Sequence, residues 1–217
     1  DFHQESKINK IANNIVAVYN KSNPYKGTQF VMCDMSTPSN SRFNVYNETK
    51  KLLVAKGIPE NEIAFIHDAG SSIRKKEKII KDFNKGDLRV LLGSTQKLGT
   101  GVNAQLKAVA IHHVDLPWRP SDFDQRNGRP ARQGNEIAKK YFDNKVLNYV
   151  YGVKGTTDGY IFNTLAVKSG FIEQLKHATI ALRTLDEGAI DANGNMSYAD
   201  FTAIIADDTL FVDKVKL

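Results

Sequence analysis

Apolar residues recur along this chain with two periods. In the opening stretch SKINKIANNIVAVYNKSNPYKG, Ile8, Ile11, Ile15, Val18 and Tyr19 lie three or four positions apart. That is the spacing of one helix face, and SNPYKG ends it. TQFVMCD (28–34) is a short continuous apolar run, the mark of a strand buried on both faces. MSTPSNSR is a loop, and FNVYNETKKLLVAKG (43–57) predicts a helix closed by Gly57. EIAFIHD (62–68) reads as a second strand. SSIRKKEKIIKDFNKG (71–86) reads as a helix with Ser71 or Ser72 as its cap and Gly86 as its stop. LRVLLGST (88–95) and AVAIHHVD (108–115) are further apolar strands, and KVLNYVYGV (145–153) alternates like a fifth. Between the last two, SDFDQRNGRPAR (121–132) predicts a short helix or helical turn, and TTDGYIFNTLAVKSGFIEQLKHATIAL (156–182) predicts a long helix.

Strands alternate with helices, and most strands are apolar runs. This pattern predicts an α/β fold, a mostly parallel sheet with helices on both faces. In such sheets ligands collect at the carboxyl ends of the strands. Two polar loops are expected there, GSTQKLGTGVNAQ (93–105) and DLPWRPSDFDQ (115–125). From about residue 176 the character changes to an acidic extension with a turn at DANGN. We expect a main domain over 1–175 and a helical, acidic extension over 176–217 that docks on it or orders in a longer protein.

Bulk properties narrow the function only slightly. The 217 residues carry a formal net charge of +6, which permits a nucleic-acid partner without requiring one. Cys33 is the single cysteine, so no disulfide can form within the chain and no cysteine-based metal site is possible; a buried core thiol is expected. The start has no signal-peptide core, and no apolar run approaches the roughly 20 residues of a membrane span. The expectation is a cytoplasmic protein. The chain opens at Asp1 rather than a methionine, so we expect it to be a segment of a longer polypeptide.

Two stretches carry chemistry. In residues 93–105, Ser94 and Thr95 offer hydroxyls, and Gly99 and Gly101 let backbone amides approach a ligand. The plainer alternative is a strand-to-helix turn with capping hydroxyls. In DQRNGRPARQGN (124–135), Arg126, Arg129 and Arg132 crowd into seven residues beside two poor helix formers. On a helical turn Arg129 and Arg132 would point the same way, as suits a phosphate; the alternative is a solvated basic turn. Both stretches are expected on the same edge of the sheet. There is no Walker A glycine-lysine-serine/threonine run and no obvious acidic pair for magnesium, so a complete triphosphatase site is not expected in this chain. His67, His112 and His113 read as core or edge histidines rather than metal ligands, and no metal site is expected. DANGNMSYADFT begins like a calcium loop but has Met196 and Thr202 where glycine and glutamate are required.

Taken in order, TQFVMCD, IAFIHDAGS…KDFNKGDLRVLLGSTQKLGTGVN, VDLPWRP, QRNGRPARQG and VYGVKGTTDGYI resemble the second RecA-like lobe of superfamily-two helicases, most like the Swi/Snf branch, over roughly residues 5–175. LGSTQKLGTGVN resembles motif V, with Ser94, Thr95, Gly99, Gly101 and Asn103 at family positions. QRNGRPARQG resembles motif VI, with Gln125, Arg129, Arg132 and Gly134 matching. The chain departs from the branch at Arg119, at Lys97–Leu98 and at Ala131, and looks more like a module of phage and mobile-element polypeptides that join a helicase to a DNA adenine methylase.

The resemblance implies a RecA-like three-layer sandwich that forms half of an ATP site. ATP and Mg2+ would be shared with an N-terminal RecA-like lobe carrying the Walker A loop. Arg129 and Arg132 would be arginine fingers. Gln125, Gly99, Gly101 and Asn103 would hold the nucleotide or couple the lobes. Ser94, Thr95, Thr100 and Trp118 would meet DNA, mainly at its backbone. For Trp118 a packed anchor is the alternative, and for Arg74, Lys75, Lys76 and Lys78 the choice is between phosphate contact and a solvated helix face. Two other functions compete with the motor lobe: a non-hydrolysing nucleic-acid-binding module of a DNA-modifying or anti-restriction polypeptide, and an α/β enzyme acting on a small phosphorylated substrate.

Overall fold

The computed structural model describes residues 6–38, 43–98, 103–153 and 156–177. It divides into two compact units, the first made of residues 1–115 and 124–151, the second of 116–123 and 152–217. The acidic extension lies outside the described residues from position 178 onward.

The first unit is built on five parallel strands: β1 (Thr28–Met32), β2 (Ile63–Phe65), β3 (Val90–Gly93), β4 (Ala108–His113) and β5 (Leu147–Val150). Their order is β2-β3-β1-β4-β5. β1, β3 and β4 are buried at every position, which is why they read as unbroken apolar runs, whereas the edge strand β5 is exposed at Leu147 and Asn148 and half-buried at Tyr149 and Val150. EIAFIHD is a strand only over its first half. At Ile66 the chain tightens into a 3-10 turn, because the Asp68 carboxylate accepts the Phe65 N–H at 3.3 Å and Gly70 takes a left-handed φ of 56°.

Helices cover both faces. α1 (Lys7–Lys21) and α2 (Val45–Ala55) bury Ile11, Ile15, Tyr46 and Leu53 with Val31, Cys33, Val90 and Leu92 of the sheet. On the other face α3 (Ile73–Lys85) and the single turn α4 (Thr95–Leu98) bury Phe83 and Leu98 against Phe30, Met32 and Leu91. α5 (Pro120–Asn127) and α6 (Glu136–Tyr141) follow β4. Ser72, not Ser71, caps α3 by accepting the Lys75 N–H, and Gly86 ends it at φ 81°. Cys33 is buried as expected, and that burial pushes its thiol up to about 12.

Polar groups in this core are paired. Gln29 spans from the Ile15 carbonyl, to which its amide donates at 3.0 Å, to Nε2 of His112 at 2.9 Å. The amide oxygen must accept, so His112 Nε2 carries the proton and Nδ1 accepts from the Tyr151 hydroxyl at 2.8 Å. Both hydrogen bonds fit a neutral imidazole, and burial, followed by neighbouring His113, holds His112 down to about 3. Arg89, fully buried, donates to the carbonyls of Gly27 and Tyr19, to Asn23 and to Ser22, fixing the turn before β1.

In the second unit α7 (Thr157–His177) buries Ile161, Phe162, Leu165 and Ala166. Trp118 meets Tyr160 edge-on at 6.1 Å, and its carbonyl accepts from Lys168 at 3.0 Å. No helix among the described residues is long and apolar enough to cross a membrane.

Candidate nucleotide and nucleic-acid interface

The carboxyl edge of the sheet is closed by a charged latch. β1 leads into Asp34, β3 into Ser94 and Thr95, and β4 into Asp115. Arg126, near the end of α5 and 1% exposed, reaches all three. Its Nη2 pairs with Asp34 at 2.7 Å and with Asp115 at 3.2 Å, its Nη1 donates to the Asp115 carbonyl at 2.6 Å, and its Nε donates to the Thr95 hydroxyl at 2.7 Å. Asp34 also accepts the Thr95 N–H at 2.6 Å and the Thr95 O–H at 2.7 Å. Asp115 accepts the backbone N–H groups of Asp34 and Met35, both at 2.7 Å. Burial works to raise the Asp34 carboxyl, but the Arg126 charge and the Thr95 donors outweigh it and hold the group below its ordinary range.

This latch refines one expectation. The crowding of three arginines is partly structural, since Arg126 is a buried ion-pair partner rather than a surface charge. The structure places Thr95 within the latch, where its hydroxyl donates to Asp34 and accepts from Arg126. Ser94 is buried, and its Oγ accepts the Lys97 N–H at 3.3 Å, which is the capping alternative for that hydroxyl. Gly99, Thr100 and Gly101 lie outside the described residues.

The remaining arginines sit elsewhere. α5 ends at Asn127, so Arg129 and Arg132 lie in the turn that follows, not on a helix face; Pro130 and the left-handed Gly134 (φ 93°) shape it. Asn135 donates to the carbonyl of Ala108, the first residue of β4, and Gln105 donates to the carbonyl of Gln133 at 3.0 Å. That end of the turn therefore lies beside the beginning of β4. The end of motif V meets the end of motif VI there: exposed Arg132 donates to Oδ1 of Asn103 at 2.7 Å. Partial burial, and then the like charge of Arg132, lower the Arg129 guanidinium. The hydrogen-bond partner of Arg132 is a neutral amide. Gln125 is half buried on α5. A cleft of about 510 Å3 runs beside the turn, lined by Arg132, Gly134, Asn135, Lys139 and Asn144 among others.

Residues 25–134, just over half of the chain, match the family described as Helicase conserved C-terminal domain. This chain belongs to that helicase family. The helicase domain is 33% identical over 138 residues to the Defense against restriction protein B of Escherichia phage P1, a match covering 64% of this chain and 6% of that protein. It is 30% identical over 118 residues to the Uncharacterized ATP-dependent helicase YqhH of Bacillus subtilis (strain 168), covering 54% of this chain and 20% of the relative. The helicase domain thus spans a small fraction of either relative. Among solved structures it resembles the C-terminal part of the Fun30 ATPase domain, with a TM-score of 0.52 at 16% identity over 95% of this chain and 57% of that one. The fold is that of the C-terminal RecA-like lobe of superfamily-two helicases.

Two features of the site were missed in the sequence. Asp34 and Asp115 each stand singly at a strand end, with no partner nearby in sequence to give them away. Arg126 differs from Arg129 and Arg132 only in falling on the inward face of α5.

Proposed function

We propose that this lobe is the second motor lobe of an ATP-dependent DNA helicase or translocase, and that Arg129 and Arg132 are its arginine fingers. The observation that carries this reading is the Arg132–Asn103 hydrogen bond, which holds an exposed guanidinium on a neutral amide beside a second arginine. A guanidinium held on a neutral amide near a second arginine favours an anion in front of it. The donor set fits the phosphates of ATP. Among the described residues no group of three His, Cys, Asp or Glu side chains could hold a metal ion, so in this reading Mg2+ is held by the first lobe. ATP supplies the phosphoryl transfer that drives the motor. This chain contributes positive charge where negative charge grows, a role worth about 10³-fold or more in kcat. Alone it is inactive, because the Walker A loop belongs to an N-terminal RecA-like lobe elsewhere in the parent polypeptide. Gln125 couples the lobes, and Trp118, 53% exposed, offers a ring face to DNA. Gly99, Thr100 and Gly101 contribute backbone contacts to nucleotide and DNA. The likeness to a phage protein supports a parent of phage or mobile-element origin.

The test is DNA-stimulated ATP hydrolysis by the full-length parent, wild type beside Arg132→Ala. Loss of hydrolysis with ATP binding retained is expected. Unchanged hydrolysis would favour the alternative reading, a nucleic-acid-binding module without a catalytic role.

A further inference from the structure

Arg132 is exposed, yet its position is set by a chain of contacts that begins on another helix. The Asn84 side chain, near the end of α3, uses both ends of its carboxamide on the segment returning from motif V. Its Nδ2 donates to the Asn103 carbonyl at 2.7 Å, and its Oδ1 accepts the Leu106 N–H at 3.2 Å. The backbone of Asn103 is thereby tied to α3 while its side chain accepts from Arg132 at 2.7 Å. A second strut, Gln105 to the Gln133 carbonyl at 3.0 Å, joins the same segment to the same turn. α3 itself is anchored by Phe83, which is fully buried and packs against Phe30 at 4.9 Å. The Asn103 and Leu106 backbone bonds lie at the surface, where water can replace Asn84 with little loss of fold stability. What water cannot supply is a fixed distance from α3 to the Arg132 guanidinium.

We propose that Asn84 is a positioning residue for Arg132, acting through Asn103. This rests on the arginine-finger reading. It assigns to α3 a role separate from any contact its lysines make: the helix sets where the finger stands. Misplacing a catalytic group by about 1 Å can lower a rate by about a hundredfold, so the effect should appear in kcat.

The experiment measures DNA-stimulated ATP hydrolysis by the full-length polypeptide carrying Asn84→Ala, Asn84→Asp, Asn103→Ala, Asn84→Ala with Asn103→Ala, and Arg132→Ala, with melting curves confirming that each folds. Asn84→Ala should lower kcat by about ten- to a hundredfold and leave KM for ATP within about twofold. Asn84→Asp keeps the acceptor for Leu106 but faces the Asn103 carbonyl with a carboxylate, so it should be as impaired as the alanine variant. A role confined to holding Leu106 would instead let aspartate rescue the rate. The double variant should be no worse than either single one, because the two residues act in series. Wild-type kcat in Asn84→Ala beside a dead Arg132→Ala overturns the positioning role alone. Wild-type kcat in Arg132→Ala overturns the finger assignment and this inference with it.

Discussion

Arg126→Met separates the structural arginine from its neighbours. The substitution keeps much of the apolar stem and removes the charge. Asp115, whose side chain is 6% exposed, then remains buried without a cation, and Asp34, 36% exposed, loses its closest one. Breaking a buried ion pair by removing one partner costs about 3–5 kcal/mol. Asp34 is partly solvated, so its share is discounted and the expected loss is near the lower end, about 3 kcal/mol, a large part of a typical domain's total. Urea unfolding of this chain at pH 7, followed by circular dichroism, reads this directly as a lower midpoint with unchanged slope. Arg132→Ala, at an exposed position, should shift stability by no more than about 0.5 kcal/mol. The acid limb gives a second signature. Because the folded Asp34 carboxyl is held low, it contributes stability above its unfolded value near 3.8, and that contribution is lost as pH falls through the folded value. Without Arg126 the burial that raises this group is less opposed, so the acid loss should shrink or reverse. A loss below about 1 kcal/mol, or equal losses for Arg126 and Arg132, would refute the latch as a structural element.

Two further outcomes follow from the packing. His112 and His113 are both held down to about 3 by burial, so each favours the folded state fully above its unfolded value of 6.5 and progressively less as pH falls from there toward 3. The urea midpoint of the wild type should fall across that range, and His112→Gln should flatten the slope by about 1.4 kcal/mol per pH unit. Gly93→Ala should cost about 1–3 kcal/mol in the same assay, because its methyl would sit 2.7 Å from Ile66 Cγ2 and closer still to Leu98, pushing α4 off the sheet.

The layered α/β fold was legible because the strands are buried on both faces and announce themselves as apolar runs, and because Ser72, Gly57 and Gly86 punctuate the helices. The short second strand was overread: IHDAG keeps an apolar start, and only the Asp68 cap and Gly70 divert it into a turn. At the site, sequence order identified the motif stretches but not which arginine faces inward. That depends on the phase of α5, where Arg126 turns toward Asp34, a residue 92 positions away. Both stretches do reach the shared carboxyl edge, where Arg126 donates to Thr95. They meet a second time at Asn103 and Arg132, and there Asn135 ties the turn to the first residue of β4.

The latch at Asp34, Thr95, Asp115 and Arg126 also carries a consequence for time. It joins four separate stretches of chain and cannot close until β1, β3 and β4 are aligned and α5 has returned over them. A contact of such long range is expected to form late in assembly, so weakening it should hasten opening more than it slows folding. A fastening that closes last in this way sets how long the folded lobe lasts once formed.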